Sequence, residues 1–126
     1  MKQRWMAVAA LIGFLSVAGG AFGAHALEAM IPPERMDTFE IGTRYAQVHA
    51  VALLCVAVML RDQPTATTLK LACAAFTVGV VFFTGSLWLL TVSGVTWLGA
   101  ITPLGGLAFL TGWASLGVHA MRSSGD

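Results

Sequence analysis

Four long apolar runs separated by short polar breaks organise this sequence. The first, Trp5 to Leu27, carries no Asp, Glu, Lys or Arg over about 23 residues. That is enough, at about 1.5 Å per residue, to cross the ~30 Å hydrocarbon core of a bilayer. The others cover about 44–60, 71–91 and 97–121, with the first at about 5–27. A secretory signal with Ala24-His25-Ala26 as its cleavage site is the rival for the first run, but the run is longer than a usual signal core. The pattern predicts four membrane-spanning helices in a single domain over 1–126.

The breaks refine this picture. Glu28 to Arg44 holds Glu28, Glu34, Arg35, Asp37, Glu40 and Arg44, punctuated by Pro32-Pro33. Proline suits the first helical turn and acids suit the positive end of the helix dipole. A helix is therefore expected from about Pro33, continuing into the second span. Met36, Phe39 and Thr43 make its first turns amphipathic, as an extension lying at the interface. Glu40 and Arg44 stand at i,i+4, the spacing of a helical ion pair. Arg61-Asp62-Gln63-Pro64 ends the second span, and Lys70 marks the start of the third. The fourth allows two starts. Thr102-Pro103 can be an N-cap and first-turn proline, leaving Thr96 to Ile101 as a turn. Alternatively the helix begins near Thr96 and kinks at Pro103, and the longer span, tolerant of tilt, favours this second form. Trp88 and Trp97 bracket the third break like interfacial anchors.

Composition fixes the class. Hydrophobic residues make up 57% of the 126 and charged ones 10%, against about 25% charged in a soluble domain. Mean hydropathy is +0.80. The fold class is therefore all-α, an integral membrane four-helix bundle with a helical extension before the second span. The lipid bilayer is its first partner. A net charge of +1 with scattered basic residues gives no nucleic-acid footprint. Cys55 and Cys73 form no CxxC pair and read as small apolar packing residues. Lys2 and Arg4, Arg61 and Lys70, and Arg122 flank the spans on one side. The positive-inside bias then puts both termini in the cytoplasm. Arg35 and Arg44 stand on the other side, diluted by four acids.

Glycine, costly in soluble helices, lets membrane helices approach closely. Gly19, Gly20 and Gly23 in the first span, and Gly105, Gly106 and Gly112 in the fourth, are expected at helix contacts. Counting along the helices brings one set of polar groups to a common depth in the outer third: His25, Tyr45, His49, Ser86 and Thr102. Three readings stand open. These groups can be interhelical hydrogen-bonding glue, a ligand, ion or proton site, or a haem or metal site with His25 and His49 as ligands. No third strong ligand accompanies the two histidines, so the expectation is no cofactor and no metal. His119 reads as a cation-capable residue near the inner end of its helix. No nucleophile–base set, phosphate-binding loop or dinucleotide fingerprint is present, so the expectation is a non-enzyme with no catalytic residue.

Several blocks occur in an order that resembles one family. They are Gly20-Ala21-Phe22-Gly23-Ala24-His25, Tyr45-Ala46-Gln47-Val48-His49-Ala50, Gly85-Ser86-Leu87, Ile101-Thr102-Pro103-Leu104-Gly105-Gly106 and Gly112-Trp113. The family is domain-of-unknown-function 423, also called UPF0382, of small four-helix bacterial membrane proteins with relatives in animals. The resemblance spans nearly the whole chain. It departs at Leu87-Trp88, where the family often has tyrosine directly after Gly-Ser-Leu. It implies four spans in the bacterial inner (plasma) membrane and no activity. The functional expectation is a non-catalytic accessory or assembly partner of a membrane complex. The alternative is a small-solute, ion or proton transport or sensing protein, working as a homo-oligomer through its outer polar cluster.

Overall fold

The computed structural model describes residues 3–124, and side chains to residue 123. Lys2 of the basic start and Gly125-Asp126 of the tail lie outside the described residues. Four apolar helices follow one another: α1 (Arg4–Glu28), α2 (Pro33–Asp62), α3 (Thr67–Ser93) and α4 (Thr102–Ser124). Each is long enough to cross a bilayer.

Two of the four contain a wider turn. α1 passes through a π-helical turn at Gly19–Gly23, and α3 through another at Val80–Thr84. There the backbone bonds span five residues, from Ala24 N to Gly19 O and from Gly85 N to Val80 O. Such turns insert one residue into the α-helical register.

α2 starts with Pro33 in its first turn and runs unbroken for 30 residues. The extension is thus the first three turns of the second span itself. It stands against the end of α3. Phe39 stacks on Trp88 with ring centroids 5.2 Å apart, and the Thr91 hydroxyl donates to Arg35 O at 3.2 Å. Trp88 is therefore a packing residue of the α2–α3 contact, half-buried, rather than a free interfacial anchor. Trp97, 65% exposed, has the surface position expected of it.

The fourth span does not run as one α-helix from Thr96. A 3-10 turn covers Thr96–Ala100 and the α-helix begins at Thr102, with Pro103 in its first turn. Proline lacks the N–H that a continuing helix needs and restricts the residue before it. Those costs vanish when the helix simply starts there. Gly94 ends α3 in the left-handed conformation at φ 73°, its N–H bonded to Leu90 O.

Consecutive helices are antiparallel, and small residues set their approach. A Cβ on Gly13 would lie 3.9 Å from Ala50, and one on Gly20 would lie 3.0 Å from Thr43. On α4, Gly105 lies on the backbone of Phe83, Phe109 packs on Gly79, and Gly112 receives the ring of Phe76. Gly19 receives the Trp88 ring and Gly23 the Phe39 ring. Gly106 differs from its neighbour: nothing lies within 4 Å of a Cβ placed there, so it makes no close helix contact.

The apolar core gathers toward one end, at Leu53, Val56, Leu69, Cys73 and Phe76, all fully buried. Arg4, Arg61, Lys70 and Arg122 flank that end by the antiparallel order. Most of the polar contacts between helices lie toward the other end. α1 is the outlying helix: of its first 15 residues only Ala9 and Ser16 are buried.

Candidate functional site

His49 lies on the face of α2 that meets both α3 and α4, and is 5% exposed. Its Nδ1 is 2.7 Å from Tyr45 O, one helical turn back. Its Nε2 is 3.0 Å from Nε1 of Trp113 on α4. An indole nitrogen only donates and a carbonyl only accepts. The imidazole is therefore the neutral tautomer with its proton on Nδ1, and both nitrogens are engaged. Aromatic rings close around it. Phe109 stacks at 3.7 Å and 14°, Phe76 meets it edge-on at 5.4 Å, and Tyr45 stacks from 6.2 Å. Tyr45 itself is 43% exposed and packs on Phe83 at 4.5 Å.

Ser86 and Thr102 form a second unit. Their hydroxyls are 2.6 Å apart, and Ser86 also donates to Phe83 O at 3.0 Å. Ser86 has one proton, already given to the carbonyl, so Thr102 donates to Ser86. This bond ties the first turn of α4 to α3. The pair joins the His49 cage through Phe83, whose ring packs on Tyr45 and on Phe109.

His25 does not join either unit. It is exposed on the last turn of α1, and its imidazole makes no hydrogen bond among the described residues. The structure thus brings together Tyr45 with His49 and Ser86 with Thr102, and leaves His25 apart. A haem or metal on His49 would have to displace the Trp113 or Tyr45 bond. Among the described residues no group of three or more His, Cys, Asp or Glu is placed to hold a metal. Glu40 and Arg44 are both exposed, and no salt bridge joins them among the described residues. They open instead into a notch between α1 and α2, together with Gln47. His119 is buried, its Nδ1 2.9 Å from the Thr68 hydroxyl at the start of α3. It serves the α3–α4 contact rather than standing as a surface cation.

A third polar set was not apparent from depth counting. Thr84, in the π turn of α3, donates across to Gly42 O at 2.7 Å. Threonine in a helix usually returns its hydroxyl to its own backbone, as Thr77 does to Cys73 O. Here the widened turn sends it to α2. Trp88 donates to the Thr43 hydroxyl at 3.0 Å, and Thr43 in turn donates to Phe39 O. A Gly42-Thr43 pair facing a Thr84…Trp88 pair was the available signal. Among the described residues no buried side-chain nitrogen or oxygen lacks a hydrogen-bond partner.

The fold and this closed polar interior define a class: a small four-span, all-helical membrane protein whose buried polar groups bind its helices together. Residues 19–106 match the family described as "Protein of unknown function (DUF423)". The chain belongs to that family. It is 38% identical to the UPF0382 membrane protein YwdK of Bacillus subtilis over 113 residues, covering 90% of this chain and 92% of that one. It is 36% identical to a UPF0382 membrane protein of Haemophilus influenzae, with 98% of each chain covered. It is also 36% identical to the UPF0382 inner membrane protein YgdD of Escherichia coli, covering 97% of this chain and 93% of the relative. No solved structure matches the chain.

Proposed function

We propose that this protein is a non-catalytic accessory or assembly partner of a larger complex in the bacterial inner membrane. The observation that carries the reading is the closure of its polar interior. Among the described residues every fully enclosed side-chain nitrogen and oxygen is already bonded, and His49 has both nitrogens engaged. Such groups act as glue between helices, and a catalytic base or metal ligand would need one of them free. α1 adds a docking capacity. It buries little and turns Leu11, Phe14, Leu15, Val17 and Phe22 outward, a face open to another helix as well as to lipid.

Both termini are assigned to the cytoplasm. What supports this is the gathering of Arg4, Arg61, Lys70 and Arg122 around one end. Labelling of a tag at the C-terminus from the periplasm of intact cells would reverse it.

Purification at native expression in mild detergent, with mass spectrometry of the proteins retained, tests the role. A stoichiometric membrane-protein partner is expected. Recovery of the chain alone, or only with copies of itself, overturns the accessory role. The copies would favour the second reading, a transport or sensing homo-oligomer. The groups favouring that reading are Glu40, Arg44 and Gln47, polar and open to the surroundings.

A further inference from the structure

One side of the α1–α2 contact is a groove whose chemistry changes along its length. Its α2 wall is the stripe Glu40, Arg44, Gln47, Val51 and Leu54, spaced four, three, four and three residues apart and so on one helix face. Its α1 wall is made mostly of small residues, Ala9, Ala10, Gly13, Gly20 and Ala24, with Phe14 among them. Toward the α1–α2 loop the groove forms a notch of about 260 Å³, lined by Glu40, Arg44 and Gln47 and floored by Gly20, Ala24 and Thr43. Further along it forms a second hollow of about 280 Å³, lined by Ala10, Gly13, Phe14, Val51 and Leu54. No charged residue lines this second hollow.

The polar notch lies partly below the membrane surface. Arg44 precedes Arg61 by 17 positions on one continuous helix, a rise of about 25 Å. The hydrocarbon core is about 30 Å thick. With Arg61 at one surface, Arg44 starts inside the other and must reach outward. Ionisable groups at such depth are costly unless paired. Yet Glu40 and Arg44, at the spacing that allows an ion pair, do not form one among the described residues. Gln47 spends one amide hydrogen on Ser16 O at 3.4 Å and is otherwise exposed. A carboxylate, a guanidinium and an amide therefore converge at the rim, with their counter-groups to come from outside the chain.

We propose that this groove binds one zwitterionic phospholipid of the ethanolamine type. Its phosphate is held by Arg44 with Gln47, and its ammonium by Glu40. One acyl chain lies along Gly13, Ala10, Val51 and Leu54. Guanidinium–phosphate and carboxylate–ammonium contacts are charge-assisted and complementary to this headgroup in both sign and order. The length fits as well. Arg44 to Leu54 rises about 15 Å, half the ~30 Å core and so the depth of one leaflet.

The test uses the full-length protein in nanodiscs holding equal amounts of phosphatidylethanolamine, phosphatidylglycerol and phosphatidylcholine, with retained lipid read by native mass spectrometry after release into mild detergent. Wild type is expected to keep one lipid and to prefer phosphatidylethanolamine. R44Q should lower retention of all three by about tenfold, the loss of one charge-assisted contact. E40Q should abolish the preference for ethanolamine over glycerol while leaving phosphatidylglycerol retained. G13L should lower retention of every lipid by filling the apolar half; a Cβ at Gly13 itself meets only Ala50, at the ordinary contact distance of 3.9 Å. Soluble glycerophosphoethanolamine should not displace the lipid. Wild-type retention without headgroup preference overturns the proposal, as does equal retention by R44Q. Displacement by the soluble headgroup, or a second protein chain in place of lipid, overturns it too.

Discussion

The indole N–H of Trp113 on α4 is given to Nε2 of His49 on α2, at 3.0 Å, so the one buried histidine of the second span is fixed by a residue 64 positions away. Trp113→Phe keeps most of the ring packing and removes the donor. Nε2 is then left without a partner in an aromatic cage, and stability should fall by about 1–3 kcal/mol. His49→Ala should cost more, since it also removes the stack on Phe109 and opens a cavity. Thermal unfolding in detergent measures both. The double variant should lose less than the sum, because the two residues share one bond.

Adjacent glycines on α4 should behave oppositely. At Gly105 an added Cβ falls on the backbone nitrogen and Cα of Phe83, which cannot swing aside. Gly105→Ala should separate α3 from α4 at a cost of about 1–3 kcal/mol. At Gly106 nothing lies within 4 Å, so Gly106→Ala should change stability by less than about 1 kcal/mol. Membrane accumulation and unfolding temperature report the contrast.

Thr84→Val removes the hydroxyl that reaches Gly42 O and keeps the shape of the side chain. Interhelical hydrogen bonds in membranes average about 0.6 kcal/mol and reach about 1.7. The buried position of Thr84 and the 2.7 Å length place this loss in the upper half of that range. Thr77→Val, which loses a bond only to its own helix at Cys73 O, should be milder in the same assay.

Gly94→Ala tests the end of α3. A Cβ there meets the Arg35 Nη1, which can move, but the φ of 73° cannot be changed without losing the helix end. The left-handed conformation costs an alanine about 1–2 kcal/mol. Gly94→Asn, which tolerates that conformation better, should lose less. Unfolding temperature and protease sensitivity around Val92 to Trp97 distinguish the two.

The four spans, the proline start of α2 and the antiparallel order were legible because bilayer thickness turns apolar run length into architecture. The polar cluster was legible only in part. Counting residues gives depth but not direction around the helix. His25 and Ala24 share a depth, yet successive residues differ by about 100° in direction. Ala24 therefore floors the notch while His25 faces outward. The same rotation separates Gly105 from Gly106. Ser86 and Thr102 did meet, because the short connection from α3 to α4 leaves them little freedom. The partners of His49 were hidden for another reason: Phe76, Phe109 and Trp113 read as ordinary apolar residues until α3 and α4 are packed together. The start of the fourth span hinged on Pro103, which marks a beginning rather than a bend.

The two π turns bear on which changes of chain length this bundle can absorb. They flank α2 at the same place: Gly20 of one lies against Thr43, and Thr84 of the other bonds to Gly42 O. Each holds one residue more than a regular helix needs. Deleting that residue would leave α1 or α3 an unbroken α-helix, shorter by one position. The half beyond the deletion would then keep its direction relative to the rest, because the widened turn had absorbed the surplus residue, whereas a deletion in a regular stretch turns the far half by about 100°. Loss of one residue is therefore best absorbed at these two points, in helicity and in register alike.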